Sequence, residues 1–86
     1  MPLIEKSLQM GGIPLREFVD YFIELGCNQN GENRFVDCNW EVTLQSKEDW
    51  LGSFKIERVD VTFKGEAKVL EEVIATFRRS FMRAGG

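Results

Sequence analysis

Apolar residues recur along this chain in two rhythms, one of period two and one of period 3.6. From Leu3 to Met10, Ile4, Leu8 and Met10 share one face and Glu5, Ser7 and Gln9 share the other, with Lys6 an exception on the apolar side. That alternation predicts a strand, which Gly11-Gly12 ends. Between Pro14 and Leu25, the positions Leu15, Phe18, Val19, Phe22 and Ile23 fall at helical spacing, with Arg16, Glu17, Asp20 and Glu24 opposite. Pro14 suits the first helical position and Gly26 a left-handed C-terminal cap. Residues 26–33 form a turn-rich loop in which Asn30-Gly31 is the strongest turn dipeptide.

From Arg34 to Gln45 the alternation predicts one long half-buried strand. Val36, Cys38, Trp40, Val42 and Leu44 lie inward; Asp37, Asn39, Glu41, Thr43 and Gln45 lie outward. Such a strand would span about 40 Å, so it is expected to twist or bend. Ser46 to Asp49 resembles the start of a helical turn capped by Ser46. Residues 54–64 read as strand again with a slipped phase: Phe54 and Ile56 are even-numbered, Val59, Val61 and Phe63 odd. An extra residue near Glu57-Arg58, as a β-bulge or a strand break, would restore all five to one face. The last helix is expected from Glu66 to about Arg83, burying Val69 or Leu70, Val73, Ile74, Phe77 and Phe81. Its acidic residues sit early and Arg78, Arg79 and Arg83 late, which complements the helix dipole.

The predicted fold class is therefore α+β. A strand, a helix, further strands and a second helix make a curved antiparallel sheet with both helices packed on one face. The 86 residues make one domain spanning residues 1–86, and seven Phe and two Trp supply the bulk of its core. No apolar run reaches the length of a membrane span and the start of the chain carries no secretion signal, so a cytoplasmic domain with no membrane contact is expected.

Charge and chemistry narrow the function. The net charge of −3 argues against a nucleic-acid partner, which clustered cations would have to hold. Histidine is absent, which removes the commonest general base and the commonest metal ligand. Two cysteines cannot by themselves complete a zinc site, and no catalytic residue, metal or cofactor is expected. A disulfide between Cys27 and Cys38 is allowed by their spacing; reduced thiols are the expectation in the cytosol. Cys38 is expected inward as a small hydrophobe, and Cys27 more accessible.

Three features offer interaction chemistry. Asp37 and Glu41, with Asp60 across the sheet, would set several carboxylates side by side, the arrangement of a solvated sheet face or of a cation site. Trp50 in a loop, and Phe35 on the polar side of its strand, either anchor a protein partner or fold over a sheet edge or helix end. The ending Gly85-Gly86 matches the tail by which ubiquitin-like proteins and sulfur carriers are activated, because side-chain-free residues thread the narrow channel of an activating enzyme. Equally, Gly85 serves as a helix cap and Gly86 as a frayed end. A ubiquitin-like chain runs strand-strand-helix-strand-strand, unlike the order predicted here.

The element order, the length and the closing run from Val61 to Gly86, VTFKGEAKVLEEVIATFRRSFMRAGG, resemble the small domain at the C-terminus of some bacterial relatives of the molybdopterin-synthase small subunit. The resemblance implies a TATA-binding-protein-like α+β fold and a domain without established activity, and it carries no functional residue over. The expected function is a non-catalytic interaction or accessory domain linked to molybdopterin-type cofactor metabolism. The alternative is a carrier acting through Gly85-Gly86.

Overall fold

The computed structural model describes residues 3–81. In chain order the elements are β1 (Leu3–Gly11), α1 (Leu15–Glu24), β2 (Asn28–Gln29), β3 (Arg34–Val36), β4 (Trp40–Leu51), β5 (Phe54–Glu66) and α2 (Ala67–Phe81). The strands form one sheet in the order β1-β5-β4-β3-β2, antiparallel at every step. Both helices bury their apolar residues against the same face, as the α+β reading expected. Phe18 and Phe22 of α1 and Leu70 and Phe77 of α2 join Phe35, Trp40, Val42, Leu44, Val59, Val61 and Phe63 from the strands in one core. Phe22 sits at its centre, stacked on Phe35 at 5.7 Å and on Phe77 at 5.8 Å.

Pro14, expected as the first helical residue, is instead the extended N-cap before Leu15, because its ψ of 145° keeps it outside the helix; at its other end α1 closes as its sequence predicts. Gly26 has φ +93°, its N–H donates to the Ile23 carbonyl, and the Cys27 N–H donates to the Phe22 carbonyl, which together form a Schellman cap. The buried stripe differs at one position. Ile23 is 51% exposed, and Tyr21 turns inward instead. The reason is the second helix, whose Phe77 and Phe81 rings lie 5.6 and 5.3 Å from the Tyr21 ring and so set which flank of α1 is covered.

Four strand expectations are corrected. Residues 26–33, expected as a loop, include the short strand β2, whose Asn28 and Gln29 pair with Val36 and Phe35 of β3. Residues 34–45 are a hairpin instead of one strand: β3 runs back along β4, pairing Val36 with Glu41 and Phe35 with Val42. The turn is made by Asp37-Cys38-Asn39. The Asp37 carboxylate accepts the Cys38 N–H at 2.7 Å, and the Asp37 N–H donates to the Trp40 carbonyl at 2.8 Å. Reversal across this turn changes which parity faces inward. Phe35 is fully buried, Val36 moves to the outer face, and Cys38 is exposed at the turn.

Residues 46–49 are strand, because β4 continues to Leu51 against β5 and no helical turn forms. Charged pairs reward that choice: Lys55 meets Glu48 at 2.7 Å and Arg58 meets Asp49 at 2.7 Å. The reversal comes at Gly52-Ser53, with Gly52 at φ +66° in the first loop position, as a type II′ hairpin requires.

Nor is there a bulge near Glu57-Arg58. The β4–β5 register runs unbroken from Trp40↔Gly65 to Leu51↔Phe54. The phase slip is a change of face: Val59, Val61 and Phe63 point at the helices, while Phe54 and Ile56 point away.

Candidate functional site

The β4–β5 hairpin outruns the layer that covers it. Its strands have 12 and 13 residues, some 40 Å at about 3.4 Å each, against about 22 Å for the 15 residues of α2. β1 accompanies β5 only as far as Gly11↔Arg58, and β3 leaves β4 at Thr43. Beyond Arg58 the sheet is therefore a two-stranded ribbon. At its tip Trp50 is 67% exposed, Leu51 68% and Phe54 74%, with Ile56 beside them. Register places Leu51, Phe54 and Ile56 on the outer face and Trp50 on the opposite side, across from Lys55. Charge flanks both faces of the tip, with Glu48, Lys55 and Glu57 on the Trp50 side and Asp49 beside Ile56 on the other.

Sequence reasoning singled out Trp50 and missed its three companions. The Gly52-Ser53 dipeptide between two strand-like runs was the available signal, since it marks a two-residue hairpin with apolar residues at its end.

Behind the tip, the outer face carries no helix among the described residues and is polar in cross-strand rows. Lys47 contacts Asp60 at 3.1 Å, and Arg58 contacts Asp49. The Arg58 Nε and Asp60 Oδ1, both shielded from solvent, face each other at 3.2 Å but too far off-line for a hydrogen bond, so they compensate as charges. Further along, Arg34 binds the Glu41 carboxylate, and this hydrogen bond holds the Glu41 pKa below the ordinary range despite some desolvation, with Lys64 assisting. Ser7 and Thr62 share a hydrogen bond at 3.0 Å.

The predicted carboxylate group does not assemble. Glu41 is engaged by Arg34, Asp60 by Lys47 and Arg58, and Asp37 sits in the β3–β4 turn. Among the described residues, no three His, Cys, Asp or Glu side chains are arranged to hold a metal ion. Phe35 is core and unavailable as a surface anchor.

Both cysteines are free thiols. Burial, then the nearby Asp37 carboxylate, pushes the Cys27 pKa above the ordinary thiol value, so Cys27 is a poor nucleophile. Gly85 and Gly86 lie outside the described residues. No helix among the described residues is long and apolar enough to cross a membrane.

Comparison with known proteins adds one assignment. No curated protein matches the chain. The sequence profile described as "Archaeal MoaD-like protein" matches residues 6–86, nearly the whole length, and on that match the chain belongs to the archaeal MoaD-like protein family.

Proposed function

We propose that this chain is a non-catalytic, protein-binding accessory domain of molybdopterin-type cofactor metabolism that docks through the tip of its β4–β5 hairpin. One observation carries the reading: three large apolar side chains, Trp50, Leu51 and Phe54, are each at least two-thirds exposed on a ribbon that projects beyond the core. Aromatic residues in such clusters dominate interface energies, and a charged rim is usual around them. Glu48 and Asp49 neutralise Lys55 and Arg58 and Glu57 adds a further negative charge, so the rim offers no excess of cations to hold phosphate backbones or anionic lipid, which favours a protein surface as the occupant. Family membership supports the metabolic context. The strand-helix-strands-helix order with both helices on one face supports assigning the fold as TATA-binding-protein-like. Two free thiols suit the cytoplasm. The absence of histidine and the pairing of Glu41 and Asp60 with cations support a non-catalytic role.

A second reading, a sulfur carrier acting through Gly85-Gly86, is favoured by the extension of the family match through both glycines. Against it stands the element order, since one strand precedes α1 where a ubiquitin-like chain has two.

One experiment tests both. The chain and its Trp50→Ser/Phe54→Ser variant are incubated as bait in host extract with ATP and magnesium. Retained proteins are identified and the bait is weighed intact. A molybdopterin-pathway protein retained by the wild type and lost from the folded variant is the expected result. Equal retention by both overturns the docking site. A mass gain equal to a terminal thiocarboxylate, lost on deleting Gly86, overturns the accessory reading in favour of the carrier.

A further inference from the structure

A second surface lies away from the hairpin tip. β1 ends the sheet and pairs only with β5 among the described residues, so its other edge leaves every second N–H and C=O without a strand partner. α2 runs beside the same strand, and between them opens a groove of about 520 Å³. Its floor is apolar, made by Ile4 and Leu8 from β1 and Leu70 and Ile74 from α2. Ala67 and Ala75 keep the helix flank low at each end, which is why the groove stays open.

The charges are unusual for such a floor. Lys6 is the residue that breaks the alternation of β1, standing on the inner face between Ile4 and Leu8. Arg78 lies on the facing helix flank. Neither is in an ion pair among the described residues, which is also true of Lys64 on the outer face, whereas Arg34, Lys47, Lys55 and Arg58 each have a carboxylate. Among the described residues Glu71 is the one carboxylate lining the groove, so there two cations face one anion in a protein whose net charge is −3.

An inward-pointing charge on an edge strand repels a neutral or basic strand and admits one that brings the opposite charge. A strand added beside β1 would set its inward side chains across from Ile4, Lys6 and Leu8, because directly opposed residues share a face. The matching sequence has an acidic residue at its centre and apolar residues two positions to either side. Ile4 to Leu8 spans about 14 Å, and residues 67–78 of α2 about 17 Å, which fits some five extended residues.

We propose that the groove between β1 and α2 binds an extended segment of a partner protein, reading apolar-x-acidic-x-apolar, that adds to the β1 edge as a sixth strand. Main-chain pairing to β1 supplies affinity; Lys6 and Arg78 select the acidic centre. This site is separate from the hairpin tip and stands or falls independently of it.

The test uses two synthetic peptides on the isotope-labelled full chain, acetyl-Ser-Val-Thr-Asp-Thr-Val-Ser-amide and its counterpart with lysine at the centre, followed by amide NMR shifts up to millimolar concentration. The acidic peptide should shift residues 4–10 and 67–78 saturably, and the lysine peptide should bind at least about tenfold more weakly. Lys6→Glu should reverse that preference. Ala75→Trp, at an exposed helix position, should fill the groove and abolish binding while leaving the rest of the spectrum in place. Trp50→Ser should leave the titration unchanged. The proposal is overturned if the two peptides bind equally, if neither shifts the spectrum, if the shifts map to the hairpin tip, or if binding survives Ala75→Trp. Saturable binding of decanoate in the groove, with neither peptide bound, would reassign it to a small amphiphile and likewise overturn the proposal.

Discussion

Phe77→Ala tests whether the domain is held by its aromatic cluster. Phe77 is fully buried, and five rings surround it: Phe81 at 4.9 Å between centroids, Phe63 at 5.4 Å, Tyr21 at 5.6 Å, Phe18 at 5.7 Å and Phe22 at 5.8 Å. Truncating a buried Phe costs about 3–5 kcal/mol, and the cost grows where the walls cannot close on the cavity. Here the walls are rings fixed to α1, β5 and α2, so a loss of about 4–5 kcal/mol is expected. A chain of 86 residues has a total stability of roughly 4–13 kcal/mol. The substitution should therefore lower the melting temperature by about 16 °C or more, or leave no folded state at all. Phe54→Ala is the control: it removes the same ring from a site that is 74% exposed and should change stability by less than about 0.5 kcal/mol. Urea melts followed by circular dichroism report both. A Phe77→Ala loss below about 1 kcal/mol, or a Phe54→Ala loss as large as that of Phe77→Ala, would refute the division between core and tip drawn here.

Two further outcomes follow from close contacts and burial. A Cβ on Gly65 would stand 2.7 Å from the Asn39 carbonyl oxygen and 2.9 Å from the Trp40 Cβ, so Gly65→Ala must spread β4 from β5. A loss of about 1–3 kcal/mol in the same melts is expected, and an unchanged midpoint would show that the strands separate freely there. Maleimide should label exposed Cys38 well before Cys27 at pH 7.5, because Cys27 is half-buried and its raised pKa leaves little thiolate. Equal rates, read by mass, would contradict the β3–β4 turn and the burial assigned to Cys27.

Local sequence alone determined the two helices and the C-terminal end of α1. The Phe18/Phe22 stripe, the Gly26 cap and the α2 stripe from Leu70 to Phe81 follow from helical spacing and a residue free to take positive φ, and the structure holds them as read. The α+β order and the shared face of the two helices followed from those elements. A relation to the molybdopterin-synthase small subunit was suggested by the element order and the closing run, and the family match over residues 6–86 agrees with it at that coarse level. The readings that failed share a cause. Alternation records that neighbouring residues differ in polarity; it does not record where the partner strand or the covering helix stops. Residues 34–45 alternate across a hairpin turn as they would along a strand, so Phe35 and Cys38 were each assigned to the wrong side. Phe54 and Ile56 look like slipped core residues until the unbroken register places them on the face opposite the helices. Tyr21 displaced Ile23 because the flank of α1 that is buried depends on where α2 lies. Both candidate surfaces belong to this second kind of information. The hairpin tip exists because β4 and β5 pair past the end of the helical layer. The groove exists because α2, more than 60 residues away in sequence, lies along the β1 edge and turns the one ill-fitting lysine of that strand into the lining of a site.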